Sequence, residues 1–600
     1  VKLGRDLIIM IRRITTQLLF IGTFLFEIRN VCSERKSSEL NSKCDLYIAE
    51  STIAGAGLGL FVGSEKKAGD IVGPGDVAIP LIDLRFHRGK NKFFSMFTDY
   101  VWKGRVMGMG QESNTDDVEA YVPGLDCVIN CNLALINIAK SLPNFDPSLN
   151  RYTSPGAGAV TPYFNTTSHV TADIPAGGEL FKFYGDIYFT SRYEIFGDIP
   201  LRENLTEAEK VIKRWMALNI SDAAKESLWF AVQNLPWTSR GVNALRTSVS
   251  QARQVAIQGI RSIYQPQSIR ILDQLESEGR CQDNIRHGVS TLPHAGRGAF
   301  ATRSLKAGDK VSGSPLLHIP NRIFTNMYAR KRTLDGKWAR NKTEIVGRQI
   351  VMNYCWGHVD SRVLLCPYGA GVNFINHNQT KANVKIQWAP NGIISHNDSW
   401  FTLTAAEMYK YDVSLAFDYI ALQDIEVGDE LFLDYGSPWE NAWNKHKERW
   451  LQNKPSEWNE YAPAEVWNRK FGRSPLRTAA EQQHEPYPEH ILIRCKKNLS
   501  RKTYIDKIRG GNGTQLFKIS DKGVPCRILK RYHDESLADE FVYDVELTLK
   551  NSEGSHNSKM RQGVPRNAIQ FVDVPYSTDI HLEHAFRFSP QIPNEILPDA

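Results

Sequence analysis

The amino-acid sequence predicts a multidomain, mostly β protein in which helical segments connect small β-sheets. The chain has 600 residues, which is more than one hydrophobic core usually holds. Short strand-like runs bounded by glycine turns recur along it, whereas long amphipathic helical periods are few. Three blocks of sequence also occur twice in the same order, which is typical of a duplicated domain.

The composition excludes several classes of protein. Hydrophobic residues make up 42% and charged residues 23%, unlike a disordered, collagen-like or coiled-coil chain. The formal net charge of +7 is small for this length, so no nucleic-acid partner is predicted. The nine cysteines are too sparse to predict a disulfide framework. Their only close pair, Cys127 and Cys131, lacks a second pair, so no metal site is expected.

Residues 1–43 have the pattern of a signal or targeting segment. Arg12 and Arg13 precede a mostly apolar run over residues 14–26, and polar sequence follows. Such a run of about 13 residues is short for a membrane span and typical of a signal peptide. We therefore expect secretory or organelle targeting, with membrane contact only through this segment. The alternatives are a signal anchor, or an artefactual extension before a start at Met10, which would leave a soluble nuclear or cytoplasmic protein.

The repeated blocks predict two copies of one domain. Each copy has a glycine-rich turn before an apolar run, then Lys-Ala-Gly-Asp, and finally an Asp-Ile turn before an alternating strand. The separation between matching blocks grows slowly along the chain, which predicts loop insertions in the second copy. The matched blocks are Gly57–Phe61 with Gly296–Phe300, Lys67–Asp70 with Lys306–Asp309, Ile129–Cys131 with Ile375–His377, and Asp173–Gly185 with Asp424–Gly436.

The remaining segments complete the predicted domain organisation. Thr206 and Glu209 have the spacing of a capping box. Ile212 and Trp215 follow at helical spacing, so the segment between the copies is predicted to be helical. Strand-like runs near the C-terminus predict a small β-barrel. The expected domains are a targeting segment (1–43), a diverged first copy (44–200), a helical connector (201–280), the second copy (281–445), a helical linker (446–484), a β-domain (485–576) and a tail (577–600).

Residues 281–445 resemble the SET domain of protein methyltransferases. The Ile-Asn-His sequence, followed about 60 residues later by Gly-x-Glu-Leu-x-x-Asp-Tyr-Gly, is the specific part of the resemblance. Residues 44–200 look like a diverged copy, so two SET-like β-folds are expected in tandem. The C-terminal region, with Tyr543–Leu547 and Gly563–Arg566, is weakly similar to a Tudor-like barrel. The SET resemblance rests on Gly296-Arg297-Gly298, Asn373-Phe374-Ile375-Asn376-His377 and Gly428-Asp429-Glu430-Leu431-Phe432-Leu433-Asp434-Tyr435-Gly436.

The resemblance implies a protein-lysine methyltransferase that uses S-adenosylmethionine. In the SET family the glycine turn receives the methionine end of this cofactor, the Asn-His pair lies against its nucleoside, and the tyrosine hydroxyl sits beside the transferring methyl group. Methyl transfer is an in-line displacement that depends mainly on positioning. The lysine amine must arrive neutral, which a dry, narrow channel favours. By this resemblance the catalytic residue is Tyr435, and the cofactor-binding residues are Gly296, Arg297, Gly298, Asn376 and His377.

Departures from the family pattern refine these expectations. Cys131 replaces the histidine in the first copy, so that copy is expected to be degenerate. No cysteine lies between Tyr435 and Cys495, so the zinc cluster that closes many histone-directed members is missing. Trp439 or Trp443 could supply the hydrophobic wall instead. We therefore expect the substrate to be a lysine side chain of a non-histone protein or peptide.

Two functions from different classes are compatible with the sequence. The first is an S-adenosylmethionine-dependent protein-lysine N-methyltransferase that is active in its second SET copy. The alternative is a non-catalytic protein-interaction module built on degenerate SET and Tudor-like folds, because a fold alone does not establish an activity. Asn376, His377 and Tyr435 favour the enzyme. A measurement of cofactor binding would distinguish the two.

Overall fold

The computed structural model describes most of the chain as small β-sheets with some helices. Residues Asp45–Ala600 form one compact unit. The predicted targeting segment lies outside the described residues except at its last position, Lys43. Across the described part of the chain, no helix has the length and apolar character needed to span a membrane. The described residues are 43–82, 100–103, 118–332, 338–391, 396–402, 415–452, 461–471, 474–496, 523–533, 541–550, 556–574, 577–581 and 584–597.

In the first region, residues 45–200, the described residues form short antiparallel strand pairs and a few short helices. Leu46–Glu50 pairs with Leu58–Val62, and Arg280–Cys281 joins this hairpin as a third strand. The other strands of the region are Ile71–Asp76, Ile79–Ile82, Val101–Lys103, Val118–Tyr121, Ile138–Lys140, Asn144–Phe145, Tyr163–Phe164 and Thr166–Val170. Its short helices are Leu125–Val128, Asp186–Thr190 and Tyr193–Phe196.

The connector is helical, as the sequence spacing indicates. Its longest helix begins at Arg202, so the capping box expected at Thr206 and Glu209 is wrong. The Asn204 side chain instead accepts the backbone N–H of Leu201, and the Thr206 hydroxyl donates to the Arg202 carbonyl inside the first turns. The helices are Arg202–Met216, Asp222–Gln233, Ser239–Leu245, Val249–Gln258, Arg261–Tyr264 and Leu272–Glu278.

The second region, residues 281–452, contains two four-stranded sheets and a helical end. In the first sheet, Asn376–His377 runs parallel to Glu430–Leu433, which places the Asn-His pair two strands away from the glycine motif. The sheets consist of Ile285–Val289, Arg297–Ala301, Glu430–Leu433 and Asn376–His377, and of Leu364–Pro367, Lys310–Ile319, Leu415–Ala421 and Val384–Trp388. Asn326–Arg332 and Trp338–Arg348 form a separate hairpin, and Ser437–Gln452 is a helix.

The first and second regions share one hydrophobic core. Buried side chains from the first region, such as Leu46 and Leu60, belong to the same cluster as Ile285 and Leu431 of the second. Burial of apolar area in a common core is the main favourable term in folding. The two regions therefore pack around one core rather than folding as two separate domains.

The C-terminal β-domain is a five-stranded antiparallel sheet with a core of its own. Its predicted strands are confirmed, whereas closure into a barrel is not shown. The strand order is His556–Pro565, Phe541–Lys550, Val524–His533, Ile491–Cys495 and Ile569–Asp573. Two short helices, Ala464–Lys470 and Glu481–His484, precede it.

Disulfides within the described residues correct the expectation drawn from the sparse cysteines. They join Cys355 to Cys366 and Cys495 to Cys526. Strand pairing brings each pair together: the bridge between Trp356 and Leu365 aligns the first. For the second, strand Ile491–Cys495 pairs with strand Val524–His533. Sequence separation could not show this, because pairing between strands decides which cysteines meet.

Residues 577–597, called the closing segment here and assigned as part of a tail by sequence, return to the second region. Gln591 forms a parallel bridge with Gly357, and its backbone N–H donates to the Tyr435 carbonyl at 2.9 Å. The Arg587 guanidinium is buried and donates to the carbonyls of Gly158 and Arg348. The closing segment is thus fastened to both regions.

Candidate active site

The glycine turn, residues 290–297, is held closed by one carboxylate. Glu430 accepts hydrogen bonds from the Ser290 hydroxyl at 2.6 Å and from the Thr291 backbone N–H at 2.7 Å. A Cβ at Gly298 would lie 2.1 Å from this carboxylate, so only glycine fits there. Gly296 has φ +70°, a left-handed conformation that also favours glycine. Each glycine of the motif therefore has its own structural cause.

Asn376 connects the turn to the Asn-His strand. Its side-chain amide donates to the Arg297 carbonyl at 2.8 Å and to the Ser290 hydroxyl at 3.2 Å. The amide thus binds both ends of the glycine turn. Loss of this side chain would leave a carbonyl and a hydroxyl without a partner, which is costly at a half-buried position.

His377 is held as a neutral ring with a fixed tautomer. Its Nδ1 accepts the backbone N–H of Tyr435 at 2.9 Å, so Nε2 carries the proton. The side chain is 8% exposed, and burial lowers the pKa of His377 although the Asp434 carboxylate opposes this shift. The ring also lies 4.7 Å from the Trp439 ring, measured between centroids. His377 therefore offers an apolar face and one donor at neutral pH.

Tyr435 is a buried, neutral phenol. Its hydroxyl donates to the Ile375 carbonyl, and burial raises the pKa of Tyr435 well above its usual value of 10.0. The ring packs edge-on against Trp356 and Trp439, with centroids 5.7 and 5.1 Å away. The O–H group of Tyr435 is thereby used as a donor, whereas the lone pairs of its oxygen can still accept hydrogen bonds.

A cavity of about 230 Å³ brings the predicted site residues together. Gly296, Arg297, Asn376, His377 and Tyr435 all line it. Gly298 does not, because its place is beside the Glu430 carboxylate. The six residues assigned by resemblance therefore converge, with five at the cavity surface and one in the frame behind it.

Aromatic side chains that the sequence analysis missed form much of the cavity wall. Tyr419 is buried and receives a hydrogen bond from Trp356, and the Tyr354 hydroxyl accepts the Thr161 backbone N–H at 2.8 Å. The closing segment contributes Phe586, which packs against the ring expected to form a wall, Trp439. These residues carry no recognisable spacing, since they come from separate sheets and from the C-terminus. Besides Trp439 and Trp443, which the sequence analysis named, the aromatic residues of the wall include Phe145, Phe164, Tyr354, Trp356, Phe374, Tyr419, Tyr461 and Phe586.

The solved structures that resemble part of this chain share little sequence with it. None of the curated proteins compared with the chain matches it. Among solved structures, a Plasmodium falciparum protein described as a candidate histone methyltransferase is 17% identical over 26% of this chain and 96% of its own, with a TM-score of 0.16. An active polycomb repressive complex 2 in the stimulated state is 16% identical over 26% of this chain and 16% of its own, with a TM-score of 0.16.

A third solved structure is ctPRC2 in an autoinhibited conformation bound to S-adenosylmethionine. It is 17% identical over 30% of this chain and 19% of its own, with a TM-score of 0.18. The family model of the SET domain matches residues 296–436, a range that begins at the glycine turn and ends just after Tyr435. Residues 296–436 of this chain are a SET domain.

Proposed function

We propose that this chain is an S-adenosylmethionine-dependent protein-lysine N-methyltransferase whose active site is the cavity of the second region. One observation carries the proposal. The glycine turn, the Asn-His pair and Tyr435 line a single cavity inside the matched SET domain. The substrate proposed is a lysine of a non-histone protein, since the cysteines of a closing zinc cluster are missing between Tyr435 and Cys495.

The residues around the cavity fit S-adenosylmethionine. The glycine turn and Arg297 offer polar groups for its charged methionine end, and the neighbouring rings of His377 and Trp439 offer an apolar face for its nucleoside. When bound there, the cofactor supplies a methyl group on a positively charged sulfur. Aromatic walls suit such a cation, which is attracted to ring faces.

The chain's own residues would act on the incoming amine in two ways. The buried aromatic walls exclude water, so the amine loses its proton more readily than in solution. The Tyr435 hydroxyl already donates to Ile375, so its oxygen can accept an N–H of the amine and point the nitrogen lone pair forward. A neutral, oriented amine is the nucleophile that an in-line displacement requires.

We also propose that residues 44–200 are a second, degenerate SET copy. A repeated hydrogen-bond frame supports this. Glu179 accepts from the Ser51 hydroxyl at 2.7 Å and the Thr52 N–H at 2.7 Å, as Glu430 does in the second region. Asn130 donates to the Leu58 carbonyl at 2.7 Å, as Asn376 does to Arg297, and the Tyr184 hydroxyl donates to the Ile129 carbonyl.

Two further parts of the proposal concern the ends of the chain. The five-stranded C-terminal domain is proposed as a Tudor-like module that contacts the protein substrate, which its compact antiparallel sheet and separate core support. Residues 1–43 are proposed to direct the protein to the secretory pathway or an organelle. Imaging of a C-terminally labelled chain with and without residues 1–43 would test the second point.

Calorimetric titration with S-adenosylhomocysteine tests the proposed activity. We expect one binding site per full-length chain. Asn376→Ala should weaken binding, because the glycine turn loses its amide link, whereas the matched change Asn130→Ala in the first region should leave the affinity unchanged. A folded wild-type protein that binds nothing would favour the interaction-module alternative. Two sites per chain would contradict a degenerate first copy.

A further inference from the structure

The glycine turn of the second region is enclosed by a segment of the first. Residues 144–164, called the covering segment here, begin and end with the paired strands Asn144–Phe145 and Tyr163–Phe164. The Leu149 Cδ1 atom lies 3.1 Å from the position that a Cβ of Gly296 would take. The Ser154 hydroxyl is 2.9 Å from His294 Nδ1, so a second residue of the turn is also held.

Arg297 is the strongest link between the covering segment and the turn. Its Nε and Nη2 atoms lie 3.0 and 2.8 Å from Asp146 Oδ2, and its guanidinium carbon lies 3.7 Å from the centre of the Phe164 ring. The two charged side chains are only 26% and 19% exposed, so solvent screens this pair less than a surface pair. The ring below and the carboxylate beside it fix the guanidinium in one place.

Asp146 is itself fixed in position. Its Oδ1 accepts the Ser148 backbone N–H at 2.9 Å, and its own N–H donates to the Pro162 carbonyl at 2.8 Å. Burial would raise the pKa of Asp146, but the hydrogen bonds from Ser148 and Arg297 outweigh it and hold the pKa below its ordinary value. The carboxylate is therefore ionised at neutral pH and cannot swing away from Arg297 without losing its backbone partner.

Arg297 is consequently held at both ends. Its carbonyl accepts the Asn376 amide from within the second region, and its side chain binds Asp146 from the first. We propose that Asp146 is a positioning residue of the cofactor site: through Arg297 it fixes the glycine turn, so the first region completes the site of the second. This rests on the proposed function, since the turn is a cofactor site only in a methyltransferase. The equivalent position of the first region is Leu58, which has no charge to anchor.

A double-mutant cycle on the full-length chain tests the inference, with S-adenosylhomocysteine as the calorimetric probe. Asp146→Asn should weaken binding about tenfold, within the range measured for residues in direct contact. Arg297→Met should weaken it as well, and the double variant should bind no worse than Arg297→Met alone, because Asp146 acts through Arg297. Asp146→Glu should recover most of the affinity lost in Asp146→Asn.

The matched control is Asp424→Asn. It removes the exposed ion pair with Lys306, whose Nζ lies 2.7 Å from Asp424 Oδ2, on the same region but away from the cavity. Its affinity should equal that of the wild type. Thermal denaturation of each variant separates lost binding from lost folding: Asp146→Asn should bind weakly while its melting temperature stays close to that of Asp146→Glu.

Each outcome decides between named possibilities. Wild-type affinity in Asp146→Asn would overturn the inference while leaving the proposed function intact. A double variant in which the two losses multiply would also overturn it, because Asp146 would then act by another route. No binding by the wild-type protein would overturn the proposed function itself, and this inference with it.

Discussion

The first and second regions share a hydrogen-bond frame but differ in what lies beside the tyrosine. In the second region a cavity opens next to Tyr435. In the first region Lys182, two residues before Tyr184, extends towards the ring of Trp102, with its Nζ 4.4 Å from the ring centre. Leu433 has the same place before Tyr435. The difference teaches that the same hydrogen-bond frame can hold a charged side chain before the tyrosine in one region and an apolar side chain in the other.

Buried charges lie beside the tyrosine of the first region. Lys182 Nζ lies 2.9 Å from the Asp126 carboxylate, and Lys140 Nζ lies 3.0 Å from Asp76. Burial lowers the pKa of Lys182, whereas the two lysines hold the pKa of Asp126 below its ordinary value despite burial. In place of a histidine, the region has Cys131, whose pKa burial raises to about 11. A neutral thiol offers no counterpart to the flat ring of His377.

The largest expected effect is on the stability of the first region. Asp126→Asn would leave the Lys140 and Lys182 charges with Asp76 alone, and breaking a buried pair in this way costs about 3–5 kcal/mol. We expect a clear drop in the melting temperature, measured by calorimetry. The control Asp173→Asn removes an exposed pair with Lys67 and should leave the melting temperature unchanged. Equal melting temperatures for both variants would contradict a stabilising role of these buried charges.

The second prediction compares the two tyrosines directly. Tyr435→Phe should lower turnover by about 10²–10³-fold, the usual cost of one preorganised polar contact, with little change in cofactor affinity. Tyr184→Phe removes the matching hydroxyl of the first region and should leave turnover unchanged. The assay is incorporation of labelled methyl groups from the cofactor into lysate proteins. If only Tyr184→Phe abolished incorporation, the active region would be the first.

The third prediction concerns the closing segment, which lines the site of the second region. Phe586→Leu removes ring contacts with Trp439 and Trp443, each aromatic pair contributing about 0.5–1.5 kcal/mol. We expect the titration described above to show cofactor binding weakened by roughly that amount. Phe541→Leu, at a partly buried position packed against the core of the C-terminal domain, is the control and should not affect the affinity. Equal affinities for both variants would contradict a role of the closing segment in the site.

The smallest effect is a pH dependence at the contact between the regions. His287 Nε2 donates to Asn165 Oδ1 at 2.9 Å, and burial, followed by the charges of Arg297 and Arg286, lowers the pKa of His287 to about 4. Neutral His287 makes its full contribution to the free energy of unfolding above pH 6.5. This contribution is lost as the pH falls towards 4. Between pH 6.5 and 5.5 the loss is about 1 kcal/mol.

Melting temperatures measured at pH 7.5 and 5.5 check this sign. His287→Gln keeps a donor for Asn165 but does not titrate, so its melting temperature should fall less over the same interval. Other histidines titrate in both proteins, and the comparison cancels their contribution. A wild type that loses no more stability than His287→Gln on acidification would contradict the prediction.

The sequence predicted the parts of the site that depend on local spacing. The turn at Gly296, the Asn-His strand and the strand before Tyr435 lie where the repeated blocks indicated. Residues of the aromatic wall could not be found this way, because Tyr354 and Phe586 reach the cavity only through tertiary packing. The disulfides could not be predicted for the same reason, because strand pairing and not separation along the chain brings their cysteines together.

The start of the longest connector helix and the burial of Lys182 both differ from what local sequence patterns indicate. The longest connector helix starts before the capping pattern at Thr206, since Asn204 satisfies the first turn instead. Lys182 lies between two phenylalanines in a strand-like run, where a lysine would be expected to face solvent. Its burial depends on Asp126, which is distant in sequence. A charge placed inside a phenylalanine run is a signal that could have indicated a buried ion pair.

The attachment of Gln591 beside Tyr435 also has a consequence for how the protein is made. The ribosome completes Tyr435 long before it reaches Gln591, whose N–H binds the Tyr435 carbonyl. At the usual 5–20 residues per second this interval is roughly 8–30 s. During it the SET domain has emerged with its cavity uncovered on the side of Phe586. The contact between the closing segment and Tyr435 therefore forms only at the end of synthesis, after the rest of the second region has been made.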